Sequence, residues 1–177
     1  PSGEITRAWQ ATDDIRRHML YFLENHDEQR IASDFFAADA RKGLPALVVA
    51  ALLNDCPFML YAGQELGERG MEVEGFSGHD GRTTIFDYWT VDSIRRAFFD
   101  RRRLRKEERE LEKAYLQVLQ IANNEKAIRE GLSFDLMYVN PHLAQHQYAF
   151  LRKAATDVLF VVANFDDEQV DAEVNIP

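Results

Sequence analysis

Met19-Leu20-Tyr21-Phe22-Leu23-Glu24-Asn25-His26-Asp27-Glu28-Gln29-Arg30 is the stretch that decides how this 177-residue chain is read. Its first five residues are continuously apolar and partly aromatic, and the run then breaks abruptly into polar residues. A short unbroken apolar stretch bounded in this way is the pattern of a buried parallel strand, covered on both faces, that opens into a loop. A second such stretch, Phe58-Met59-Leu60-Tyr61-Ala62, is closed by Gly63. Between them Ala40, Leu44, Leu47, Val48, Ala51 and Leu52 recur at three- and four-residue spacing, which predicts a helix that Asn54-Asp55-Cys56-Pro57 ends. Strand, helix and strand make a βαβ unit, whose crossover is right-handed in nearly all cases. The expected fold class is therefore α/β with a parallel sheet.

Upstream, Ile5, Ala8, Trp9, Ala11 and Ile15 follow helical spacing and predict the end of an amphipathic helix before the first strand. Downstream, residues 67–81 hold glycines at 67, 70, 75, 78 and 81 and little apolar pattern, so they read as a loop long enough to carry function. Residues 91–130 are helix-forming, with Leu104, Leu111, Tyr115, Val118, Leu119 and Ala122 as the apolar stripe and Gly131 as the C-cap; one helix and two fit equally well. Beyond Gly131 the pattern turns to alternation and β-branched runs at 134–138, 147–151, 158–163 and 170–174, which predict antiparallel strands. The organisation expected is one part over 1–131 and a second, β-rich part over 132–177.

Apolar residues make up 46% and charged residues 29% of the chain, too apolar for a disordered protein. A net charge of −9 disfavours polyanionic partners, so neither nucleic acid nor an anionic membrane is expected. The longest apolar run, Leu44 to Leu53, contains a proline and is far shorter than the ~20 residues of a membrane span. The single cysteine, Cys56, cannot pair within the chain and reads as a small buried hydrophobe. The start at Pro1-Ser2-Gly3, without methionine, leads us to expect a piece of a longer protein.

Asn25-His26-Asp27, with Arg30 three residues on, is the leading site candidate because it lies where an apolar strand opens into a loop, the end at which α/β active sites sit. A carboxylate there can stabilise positive charge or handle a proton. His26 can donate to a ligand hydroxyl, and Arg30 can keep the carboxylate ionised. Equally, Asp27 can cap the next helix or close an Asx turn.

The segment Phe22-Leu23-Glu24-Asn25-His26-Asp27 resembles the strand-seven motif of the α-amylase family, glycoside hydrolase family thirteen. Pro57-Phe58-Met59-Leu60-Tyr61-Ala62-Gly63-Gln64-Glu65 is similar to that family's strand-eight segment, and Arg82 to Trp89 to the short segment that follows. Leu111 to Gly131 resembles barrel helix eight, while Tyr148 to Arg152 and Val161 to Phe165 resemble the opening strands of the C-terminal β domain. The resemblance implies the last two strands and helices of a (β/α)8 barrel followed by an incomplete antiparallel β domain. It implies Asp27 as the third carboxylate, which stabilises the oxocarbenium-like transition state, and His26 as a hydrogen-bond partner of the same sugar. Arg30 and Phe76 are expected at the substrate, and Asn25, Gly63 and Glu65 as structural neighbours of the site. The implied ligand is an α-glucan or maltooligosaccharide. No cofactor and no metal ligand are expected within these residues, although the resemblance allows calcium in the parent enzyme. Nucleophile and acid/base belong to earlier strands that this chain lacks, so alone it should be inactive. With open strand edges it is also expected to form swapped or non-native oligomers.

A different class of reading starts from Arg95, Arg96, Arg101, Arg102, Arg103, Arg105 and Lys106, a dense basic run that could make a non-catalytic helical module for a partner or nucleic acid. The acids Glu107, Glu108, Glu110 and Glu112 follow at once, so pairing on a solvated helix face explains much of it. His79-Asp80 is too sparse for a metal site and reads as a turn. Phe76, Tyr88 and Trp89 are aromatic faces that could stack on sugars, with Trp89 more simply packed beneath the loop.

Overall fold

A computed structural model describes residues 2–73, 79–86 and 88–177. The architecture is mixed α/β, in the order α1 (Gly3–Ala11), β1 (Tyr21–Phe22), α2 (Leu44–Leu52), β2 (Phe58–Met59), α3 (Asp92–Phe99), α4 (Lys106–Asn124), α5 (Lys126–Arg129), β3 (Leu132–Asp135), β4 (Gln147–Ala154) and β5 (Asp157–Asn164). β1 pairs with β2 in a two-stranded sheet, and β3, β4 and β5 form a second sheet in sequence order. No helix among the described residues is long and apolar enough to cross a membrane.

The chain divides into two compact units. The first comprises residues 1–21, 45–58 and 118–177, the second residues 22–44 and 59–117.

The first unit is built on the antiparallel sheet, with Leu132 opposite Lys153 and Tyr148 opposite Ala163. β4 is central, so Tyr148, Ala149 and Phe150 are fully buried, while β5 alternates buried Val161 and Ala163 with exposed Phe160 and Val162. Leu47, Leu52, Leu53, Ala127, Ile128 and Leu136 complete its core. Arg152 is the polar centre of that core at 2% exposure. Its guanidinium donates to the carbonyl oxygens of Leu53 (2.9 Å), Ala127 (3.2 Å) and Ile128 and to Ser133 Oγ. Carbonyls at the ends of α2 and α5 have no partner within their helices, and one buried cation satisfies three of them. Gly131 follows Glu130, the C-cap of α5; a Cβ there would lie 2.1 Å from the Ala127 oxygen.

Three expectations change. The apolar runs at 19–23 and 58–62 contribute only two strand residues each. The helical stretch at 91–130 is three helices, with breaks at Asp100 and Leu104 around a 3-10 turn over Arg101–Arg103, and at Glu125. The run at 170–174 is not a strand. Buried Asn140 takes the place of a ladder by accepting from the Asn175 N–H (2.7 Å) and donating to the Asn175 carbonyl (2.9 Å).

Candidate functional site

The candidate site lies within the second unit, on the segment that leaves β1. Here the chain turns from apolar to polar at Glu24, and Glu24 does not go to solvent. It is 3% exposed, and its Oε1 accepts the Ile31 N–H at 2.7 Å, which closes residues 24–31 into a loop. Arg30, wholly buried, forms an ion pair with the other Glu24 oxygen at 2.9 Å. The same guanidinium donates to the Ala62 carbonyl at 2.9 Å and lies 4.7 Å from the centre of the Tyr61 ring, a cation–π contact. The Arg30 N–H donates to the Gly81 carbonyl at 2.7 Å. The Arg30 end of the loop is thus tied to the residues that follow β2 and to Gly81, and the Glu24 end is joined to them through Arg30.

Within the loop, Asn25 Oδ1 accepts from the N–H groups of Asp27 (2.9 Å) and Glu28 (3.0 Å). The Asx turn therefore belongs to Asn25, and the Asp27 carboxylate is left facing outward. His26 and Asp27 are the exposed pair, with side chains 53% and 75% accessible and His26 Nε2 3.5 Å from Asp27 Oδ1. This arrangement offers an acceptor carboxylate and an imidazole side by side on a fixed backbone.

The remaining predicted residues sit behind it. Gly63 has φ +85°, where a Cβ would also press on Ile94, and its carbonyl accepts from Leu66 and Glu68. Glu65 is half-buried in the 3-10 turn Gln64–Leu66; its Oε2 has no hydrogen-bond partner, and burial raises its carboxyl above the usual range. Gln64 donates to the Tyr115 hydroxyl at 3.0 Å, and burial pushes that phenol up to about 12. Phe76 lies outside the described residues.

One expectation about a side chain is revised. Arg30 does not hold Asp27 ionised and does not reach solvent; it is sealed against Glu24, whose carboxylate compensates its buried charge. Glu24 was not singled out in the sequence, where an acid at the end of an apolar run reads as the start of a polar loop. The only signal available was its spacing of six from Arg30, which no secondary-structure period explains. Burial raises the Glu24 carboxyl, with the Arg30 charge opposing.

Elsewhere in the second unit the basic run is largely compensated. Arg96 meets Glu108 at 2.5 Å, Arg101 meets Glu112 at 2.6 Å, Arg102 meets Asp100 at 3.0 Å and Lys106 meets Glu110 at 3.7 Å. Asp80 accepts from the Arg82 N–H at 3.1 Å, as a turn residue does. Tyr88 is exposed and stacks on Phe86 at 5.4 Å, and Trp89 is half-buried. Among the described residues there is no group of three or more His, Cys, Asp or Glu that could hold a metal ion.

No family model and no curated protein matches the chain. Its likeness to solved structures is one of fold. A variant of AmyP in complex with maltotriose matches with a TM-score of 0.62 at 19% identity, over 93% of this chain and 35% of that one. The trehalose-6-phosphate hydrolase TreA of Bacillus licheniformis matches at 0.56 and 14% identity, over 92% of this chain and 38% of that one. AmyP in complex with maltose matches at 0.53 and 21% identity, over 82% and 30%. The chain spans about a third of the length of these structures.

Proposed function

We propose that this chain is the C-terminal part of a retaining α-amylase-family glycoside hydrolase that acts on α-glucosidic bonds in starch, glycogen or maltooligosaccharides. In this reading residues 1–131 supply the last strands and helices of a (β/α)8 barrel, and residues 132–177 begin the C-terminal β domain. The observation that carries it is the Asn25-His26-Asp27 loop: one carboxylate and one imidazole, adjacent and exposed, on a backbone fixed at both ends. The fold likeness to structures holding maltotriose and maltose supports the same reading.

The chemistry follows from charge. Cleavage of a glycosidic bond passes through an oxocarbenium-like transition state, and a carboxylate set close to it is worth more there than in the ground state. Asp27 is suited to that task, and His26 to hydrogen-bonding a hydroxyl of the same sugar. The nucleophile and the acid/base come from the remainder of the parent enzyme, so the 177 residues alone are inactive.

The test is hydrolysis of maltotriose by the full polypeptide that carries this segment. Asp27→Asn should lower kcat about 10³-fold, the scale of one lost transition-state contact, and leave the Tm unchanged because the side chain is exposed. A full polypeptide that cleaves no α-glucoside, or an Asp27→Asn variant as fast as the original, overturns the reading.

A further inference from the structure

We infer that Glu24 and Arg30 act together as positioning residues, a buried clamp that sets the height and orientation of His26 and Asp27 without touching substrate. This rests on the function proposed above and assigns Arg30 a different task from sugar contact. His26, Asp27 and Glu28 are the exposed side chains of the loop, and its backbone is held at Asp27, Glu28, Arg30 and Ile31. Glu24 Oε1 closes it at Ile31, and Glu24 Oε2 holds Arg30. Arg30 in turn is anchored at three further points: the Ala62 carbonyl beyond β2, the Tyr61 ring, and the Gly81 carbonyl through its own N–H. The tie therefore extends from the loop to two other segments of the same unit.

Burial of a full ion pair is a costly way to hold a loop. A pair of apolar side chains of equal volume would give equal or better stability. What apolar contact does not give is direction. The direction comes from the hydrogen bonds on either side of the ion pair, the Ile31 N–H to Glu24 Oε1 and Arg30 Nη2 to the Ala62 carbonyl, while the Nε–Oε2 contact joins the two by charge; the Asn25 turn then transmits that placement to the Asp27 N–H over two residues. A transition-state contact is sensitive to such placement, since an error of about 1 Å can cost on the order of 100-fold in rate.

The experiment compares three variants of the full polypeptide: Arg30→Met, Arg30→Lys and the double variant Glu24→Gln with Arg30→Met. Maltotriose kinetics, Tm and amide exchange of residues 24–31 are measured for each. Arg30→Met alone leaves Glu24 buried without its cation and should lower both Tm and kcat. The double variant removes the stranded charge and should recover the Tm. Its kcat should stay about 100-fold low, with KM within about threefold and faster amide exchange at Asp27, Glu28 and Ile31. Arg30→Lys keeps the charge but not the planar group that reaches the Ala62 carbonyl and the Tyr61 ring together, and should recover kcat only in part. If the double variant regains kcat together with Tm, the pair is structural alone and the inference falls. If the unsubstituted polypeptide cleaves no α-glucoside, the proposed function fails, and exchange still decides the clamp: unchanged protection of residues 24–31 in the double variant refutes it.

Discussion

Arg30 and Arg152 are both sealed from water, one in each unit, and they are held in opposite ways. Arg152 faces neutral acceptors, the carbonyl oxygens of Leu53, Ala127 and Ile128 with the Ser133 hydroxyl. Arg30 faces a carboxylate, one carbonyl and an aromatic ring, and its Nε and Nη1 have no hydrogen-bond partner. An arginine that caps helix ends is doing the work of architecture, and any loss there falls on the fold. An arginine locked to a carboxylate under a loop with two exposed functional groups fixes the geometry of that loop. Arg152 in the first unit serves stability, and the Glu24–Arg30 pair in the second serves placement.

The sharpest way to break this contrast is Arg152→Met. It strands several buried carbonyls at once and should destabilise the protein by about 4 kcal/mol, given that hydrogen bonds to a charged donor are worth roughly 1.5–3 kcal/mol each and do not add fully. Chemical denaturation measures it. A loss below about 1 kcal/mol would mean that water or relaxation replaces the cation, and the comparison would lose its first half.

Arg30→Met should cost about 3 kcal/mol at neutral pH, and its signature is the pH dependence. Burial already holds the Glu24 carboxyl above the usual carboxylate range, with Arg30 opposing, so removing Arg30 lifts it further. A group whose folded pKa is raised contributes stability that is complete below its unfolded value, about 4.3, and that disappears as pH rises through the folded value. The deficit of the variant should therefore be smallest near pH 5 and grow toward pH 7.5. Arg152→Met, with no carboxylate in contact, should show no such trend; matching pH profiles for the two variants would erase the distinction.

The smallest effect is expected from the basic run. Arg101→Glu with Arg102→Glu disrupts two exposed ion pairs, and neither Tm nor retention on a polyanion column should change appreciably. Strong salt-dependent retention that this variant abolishes would instead favour the helical interaction module.

The sequence was informative wherever burial was periodic. The three- and four-residue spacing from Ala40 to Leu52 becomes a 3-10 turn running into α2, and the alternation at 147–151 and 158–163 becomes β4 and β5 in antiparallel register. It was less informative wherever backbone partners come from side chains. The run at 170–174 alternates like a strand, yet Asn140 meets Asn175 and the His142 ring meets the Glu173 carbonyl, so no ladder is needed. In the candidate site, His26 and Asp27 were legible as a polar step after an apolar strand and in the family resemblance. The partner of Arg30 was not, because pairing across a closed loop leaves no period in the sequence.

The Arg152 contact also orders events in time. The carbonyl of Leu53 meets its charged donor 99 positions later in the chain, so the end of α2 waits for that cation while the intervening residues are made. At synthesis rates of roughly 5–20 residues per second that wait is about 5–20 s, during which the Leu53 carbonyl lacks its buried cation. Completion of that cap depends on the arrival of β4 and not on helix formation alone.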